Sequence, residues 1–158
     1  MKNCSEHIRE TLEDILKQDE IHYTVSDSGN LIRIPYSIDC KLKEATVVLA
    51  MTDNHYTSYG VLPINADEDC RAGVMEYLTR ANYGLARGNF EMDADDGAMR
   101  YKFTIECGED GCAMPDIDMV RMSILLPLNM IERYADGLLA VMYNLKTPAE
   151  AVRDCEAK

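Results

Sequence analysis

Three aspartates and a glycine fall within the five residues from Asp93 to Gly97, and acidic side chains at this density could bind a cation. A calcium-binding EF-hand loop needs oxygen ligands at positions 1, 3 and 5, a glycine at position 6 and a glutamate at position 12. With Gly97 at position 6, those positions include Met92, Ala94 and Phe103, which offer no side-chain oxygen. The EF-hand pattern therefore fails. A four-residue hairpin loop from Ala94 to Gly97 fits the same residues better.

Cysteine and histidine side chains offer a second chemistry, metal binding or redox exchange. Cys107 and Cys112 are close enough in sequence to form a disulfide or half of a zinc site. A structural zinc site needs about four ligands, usually in closely spaced pairs, and no second pair of this kind is present. The three histidines, His7, His22 and His55, fall on different predicted elements. A structural role for the thiols is favoured, with a redox or metal role as the alternative.

Motif and charge patterns argue against several classes of function. The sequence contains no glycine-rich phosphate loop, GxSxG elbow, HExxH or CxxC, so we expect no catalytic residue and no cofactor. The net charge of −12, from 28 acidic and 16 basic residues, repels nucleic acid backbones and anionic lipid. We therefore expect neither a nucleic acid nor a membrane partner. The N-terminus lacks the apolar region of a secretory signal, which favours a cytoplasmic location.

The hydrophobic periodicity predicts one α+β domain spanning residues 1–158, with an antiparallel sheet and helices packed mainly on one face. The expected order is α-β-β-β-β-α-β-β-α, followed by a short tail helix. Ser5 would cap the first helix, an Asn65–Glu68 capping box would open the second, and Pro115 would open the third. The predicted elements are a helix over 5–18, strands HYTV, NLIRIPY, EATVVLAM and YTSYGVLPI, a helix over 67–83, a hairpin around 94–97, a helix over 115–145 bent at Pro127, and a helix over 148–155.

The predicted hairpin fixes its own register. A loop of Ala94 to Gly97 pairs apolar with apolar residues and glutamate with arginine, whereas a slip of one residue would turn one apolar face outward. We also expect Gly29 and Gly97 to adopt positive φ at the ends of two similar turns. The expected pairs are Met92 with Met99, Glu91 with Arg100, and Phe90 with Tyr101.

The long third helix has two apolar stripes. One stripe, suited to packing on the sheet, consists of Ile117, Val120, Ile124, Leu128 and Ile131. The second consists of Met119, Met122, Leu126 and Met130. At about 100° per residue the two stripes lie roughly 165° apart. Either the second stripe is covered within the chain by the first helix or the tail, or it contacts a protein, because methionines suit adaptable binding surfaces.

Several short motifs resemble the YbjN family. They are Leu78, Arg80 and Asn82 near the end of a helix, then Gly88, Phe90, Asp93, Gly97 and Tyr101, and later Arg133-Tyr134 and Thr147 to Ala151. The resemblance implies a fold similar to that of type III secretion chaperones, with helices on one side of a sheet. Members are described as candidate sensory-transduction regulators or chaperone-like proteins, and the resemblance implies no catalytic residues.

These observations favour a non-enzymatic protein–protein interaction module, chaperone-like or regulatory. The expected contact residues are Met119, Met122, Leu126 and Met130, and the partner would be another protein or a second copy in a homodimer. The alternative is a regulator or enzyme that depends on a small ligand or a metal, with the Asp93–Asp96 loop or the cysteines as its polar groups.

Overall fold

The computed structural model describes residues 4–107 and 113–158, which form four helices and one six-stranded sheet. All strand pairs are antiparallel, in the order β1-β2-β3-β4-β6-β5. The elements are α1 Cys4–Gln18, β1 Thr24–Val25, β2 Leu31–Ser37, β3 Glu44–Met51, β4 His55–Asn65, α2 Glu68–Asn82, β5 Asn89–Met92, β6 Ala98–Glu106, α3 Ile117–Met142 and α4 Pro148–Glu156. The predicted α+β class, the antiparallel sheet and the order of elements are confirmed.

One face of the sheet is covered by helices, and the core lies between them. On β3 the residues that point towards the helices, Ala45, Val47, Leu49 and Met51, are all buried. Helix α3 packs on β3, β4 and β6, and α1 packs on β3. Since side chains alternate along a strand, residues such as Arg33, between buried Ile32 and Ile34, point to the face without helices.

Small residues on β4 let α3 approach the sheet closely. A Cβ on Gly60 would stand 2.8 Å from atoms of both Pro127 and Ile131. Nearby, the hydroxyl of Tyr56 donates to Ser123 Oγ at 3.0 Å, and Ser123 in turn donates to the carbonyl of Val120 at 2.7 Å. The backbone of α3 is therefore held directly over β4, with Pro127 buried at the contact.

A buried hydrogen bond joins α2 and α3, and α4 packs beside both. The hydroxyl of Tyr77 donates to the carbonyl of Tyr134 at 2.6 Å, and burial raises the pKa of this phenol. Thr147 and Glu150 form a capping box at the start of α4. Gly137 on α3 lets α2 and α4 pack closely against α3, because a Cβ there would overlap Tyr77 and Cys155. The C-terminal helix is thus part of the packed core.

The predicted caps of the first two helices are wrong, and the third helix begins two residues after Pro115. Helix α1 already includes Cys4, so Ser5 lies inside it. The residue that precedes α2 is Asp67, which makes no side-chain cap bond, while Asn65 ends β4 and donates to the carbonyl of Asp96 at 3.2 Å. Helix α3 is capped by the carboxylate of Asp116, and Pro115 lies before it.

The predicted first strand, HYTV, is also shorter than expected. Only Thr24 and Val25 pair with β2, opposite Arg33 and Ile32. The rest of the run lies outside the strand.

Candidate functional site

The four predicted contact residues, here called the methionine edge, lie along one border of the buried face of α3. Met130 is buried at 9% exposure, and Met119, Met122 and Leu126 are half-buried. Met119 and Leu126 pack against the hydrophobic core. The two sequence stripes are therefore the two borders of one broad buried arc, and the methionine edge is its partly exposed border.

Exposed residues of α3 adjoin the methionine edge. Leu125 is 53% exposed, whereas Asn129 is a polar exposed residue one turn further along. Leu125 also lines a cavity of about 230 Å³ that includes Asp19, Tyr36 and Arg121. Leu125 therefore lies on the exposed side of α3 between the methionine edge and Arg121.

An arginine from another part of the chain lies over the methionine edge. The guanidinium of Arg87, in the loop between α2 and β5, has its Nη1 3.3 Å from the sulfur of Met122. The position of this loop is fixed because the hydroxyl of Tyr101 donates to the carbonyl of Arg87. This contact could not be predicted from the sequence, because the two residues are 35 positions apart and no local pattern links them.

On the opposite border of the exposed surface, Arg121 forms an ion pair with Asp19. Both guanidinium nitrogens Nε and Nη2 donate to the carboxylate, at 2.8 and 2.7 Å. The hydrogen bond from Arg121 holds the pKa of Asp19 below its usual value. This pair joins the end of α1 to the start of α3 and leaves the charge of Arg121 neutralised.

The Asp93–Asp96 loop uses its carboxylates to hold the turn. Asp93 accepts the backbone N–H of Asp95 at 2.9 Å, and Asp96 accepts that of Ala98 at 2.8 Å. Gly97 has a φ of 76°, as predicted. Within residues 4–107 and 113–158, no three His, Cys, Asp or Glu side chains are grouped so that they could hold a metal ion.

The predicted hairpin register is confirmed. Phe90 lies opposite Tyr101, Glu91 opposite Arg100, and Met92 opposite Met99. Arg100 donates to Glu91 at 2.7 Å. Burial works against ionisation of Glu91, but the bonds from Arg100 and Lys102 outweigh it and lower the pKa of this carboxyl.

The cysteines are dispersed over the fold. Cys4, Cys40, Cys70 and Cys155 are free thiols, of which Cys4 and Cys155 are buried. Cys107 is buried at the end of β6. Cys112 lies outside the described residues, so the predicted Cys107–Cys112 pair falls partly outside them too.

Two residues of the motif that resembles the YbjN family, Asn82 and Gly88, fix the path of the backbone between α2 and β6. The side chain of Asn82 accepts the N–H of Phe90 at 2.7 Å and donates to its carbonyl at 3.0 Å. A Cβ on Gly88 would overlap Tyr101 and the backbone of Lys102. The motif therefore serves the junction between α2 and β5 by packing and hydrogen bonding.

No protein-family model matches the chain, and no curated protein does. Among solved structures, the crystal structure of YbjN from E. coli, described as a candidate transcription regulator, matches with a TM-score of 0.56. The match covers 85% of this chain and 88% of that one, at 8% sequence identity. The chain has a YbjN-like fold.

The likeness to YbjN concerns the fold, because so low an identity carries no residue role from one chain to the other. Among the described residues, no helix is long and apolar enough to cross a membrane.

Proposed function

We propose that this chain is a non-enzymatic protein-interaction module, chaperone-like or regulatory, that binds a protein through the methionine edge of α3. The observation that carries the proposal is the partly exposed apolar border formed by Met119, Met122 and Leu126 beside the 53% exposed Leu125. Flexible methionines adapt to different partner shapes, and burial of apolar surface is the main favourable contribution to most protein–protein association.

The YbjN-like fold supports a regulatory role, since the E. coli protein is described as a candidate transcription regulator. A net charge of −12 disfavours direct contact with DNA, so we assign regulation to protein contact. Free thiols at Cys4, Cys40, Cys70 and Cys155 are compatible with the reducing cytoplasm, where we place the protein.

Site-specific photo-crosslinking in the native host tests the proposal. A photoreactive amino acid replaces Leu125, and in a matched control it replaces Leu145, which is 75% exposed in the loop between α3 and α4. We expect a covalent protein adduct from position 125 and none from position 145. Equal adducts from both positions, or none from position 125, would contradict the proposal.

Met122→Glu provides the second arm of the same experiment. Its carboxylate would face the guanidinium of Arg87, so we expect the variant to fold and to unfold thermally close to the wild type. The adduct from position 125 should disappear in this background. Light scattering identifies a homodimer as the complex if the wild type is a dimer and Met122→Glu is a monomer. A folded Met122→Glu protein that still forms the adduct would count against this edge.

A further inference from the structure

Two cations without a carboxylate partner lie at the borders of the methionine edge. Arg87 is exposed and contacts the sulfur of Met122. Arg133 is exposed on α3, and its guanidinium lies 5.4 Å from the centre of the adjoining Tyr134 ring. Within the described residues, neither arginine forms a salt bridge.

A neighbouring arginine on α3 is neutralised, because Arg121 is paired with Asp19. The pKa of Arg121 is raised, chiefly by its bond to Asp19 and to a smaller extent by Asp118, which places Asp118 on the side of Arg121. The methionine edge is therefore an apolar surface with unpaired positive charge in a chain whose net charge is −12.

The exposed part of the methionine edge, without the buried Met130, has the spacing of a helix-docking surface. Met119, Met122 and Leu126, followed by the exposed Asn129 and Arg133, succeed one another at steps of three and four residues, which keeps them on one side of α3. From Met119 to Arg133 this side extends for about 21 Å, or about four helical turns. A second helix with apolar residues at the same steps can pack along such a surface.

We infer that the methionine edge binds an amphipathic helix whose apolar stripe is flanked by acidic residues. This inference rests on the proposed function and adds the chemistry of the partner. Glutamates or aspartates beside the stripe would pair with Arg87 and Arg133 as the apolar residues cover Met119, Met122 and Leu126. A second copy of the chain is a poorer occupant, because a symmetric contact repeats the same two cations on both sides.

A pair of synthetic helical peptides tests the inference. Both carry leucines at i, i+4 and i+7, and the remaining positions are rich in glutamate in one peptide and in lysine in the other. Binding is measured by fluorescence anisotropy at about 0.1 M salt with the full chain. The net charge of −12 by itself attracts the lysine peptide. We nevertheless expect the glutamate peptide to bind at least about tenfold more tightly, because pairing at the contact outweighs the long-range field.

Charge-reversal variants locate the effect. Arg87→Glu and Arg133→Glu should each weaken binding of the glutamate peptide, and the double variant should prefer the lysine peptide. Arg33→Glu is the matched control, because it makes the same charge change on the exposed, helix-free face of the sheet. It should leave the affinity within about twofold of the wild type, since charges beyond a Debye length of about 10 Å are screened at 0.1 M salt.

Each other outcome contradicts the inference. A wild type that prefers the lysine peptide, or that binds neither peptide, overturns it, as does an Arg33→Glu effect as large as that of Arg87→Glu. Equal binding of both peptides that Met122→Glu abolishes would overturn the acidic partner and leave the proposed interaction edge intact.

Discussion

At the scale of single residues, the clearest roles belong to side chains that satisfy backbone groups at the junction of α2 and β5. Asn82 is the last residue of α2, and its amide binds both the N–H and the carbonyl of Phe90. Phe90 lies in the edge strand β5 and is 5% exposed. The amide therefore takes the place of a neighbouring strand at this position of the sheet edge.

Replacing Asn82 by alanine should destabilise the fold by about 1–3 kcal/mol, because the substitution leaves the buried N–H of Phe90 without its partner and leaves only Asn89 bonded to the carbonyl of Phe90. Chemical denaturation measures the change, and the amide of Phe90 should lose protection against hydrogen exchange. Asn129→Ala, at an exposed position on α3, should change stability by no more than about 0.5 kcal/mol. Equal effects of the two substitutions would contradict this role of Asn82.

Gly84 and Gly97 both have positive φ, but only at Gly97 would an added side chain also collide with its neighbours. Gly97 has a φ of 76° and Gly84 a φ of 84°. A Cβ on Gly97 would collide with the carbonyl of Ala66, whereas a Cβ on Gly84 would meet nothing within 4 Å. Gly84→Ala should cost about 1–2 kcal/mol from the left-handed conformation alone. Gly97→Ala should cost at least about 1 kcal/mol more because the turn must move, and equal costs in urea denaturation would contradict the packing account.

The hairpin could be predicted from sequence because its determinants are local. The loop glycine and the alternation of apolar residues fix the pairing of Glu91 with Arg100 without any knowledge of the rest of the fold. Asn82 is different, because the residue that it binds is set by the path of the intervening loop. The roles of Asn82 and Arg87 therefore appear only in the folded chain.

At the scale of elements, the helix bodies followed from apolar periodicity but the caps did not. Asn65 and Glu68 have the spacing of a capping box, yet Asn65 is held in β4 by its pairing opposite Ala98. A long-range strand contact thus overrides a local signal. Similarly, the spacing of apolar residues along α3 predicted two apolar stripes. Only the packing of α3 shows that the stripes are borders of one buried arc and that one border is partly exposed.

The ion pair between Asp19 and Arg121 predicts how the contact of α1 with α3 responds to pH. Because the folded-state pKa of Asp19 is lowered, the pair stabilises the fold above the unfolded pKa of about 3.9, and this contribution is lost as the pH falls through the folded value. Asp19→Asn should therefore reduce thermal stability at neutral pH. The difference from wild type should shrink as the pH falls below the unfolded pKa of about 3.9 and through the lower folded value. A difference that is constant with pH would show that the ionised pair is not its cause.

At the scale of the whole molecule, the charge pattern and the fold lead to one functional account. The chain has a net charge of −12, yet Arg87 and Arg133, beside the apolar border of α3, form no salt bridge with any residue that the structure describes. Composition predicted the overall field, and helical spacing predicted Met119, Met122, Leu126 and Met130. The sequence could not place Arg87 beside Met122, because Arg87 reaches α3 through the folding of a separate loop, whereas Arg133 lies on α3 itself.

The central claim, that this border of α3 binds a protein, is tested most directly by the methyl resonances of the methionines. The chain is labelled with ¹³C at the methionine methyl groups, and an unlabelled extract of the host is added. Met75 on α2 is the internal control, because it is 46% exposed whereas Met119 and Met122 are half-buried. Non-specific binding of extract proteins to exposed side chains would affect the resonance of Met75 first. The account predicts that the resonances of Met119 and Met122 shift or broaden while that of Met75 is unchanged. A response of Met75 as large as that of Met122, or no response along the edge, would contradict it.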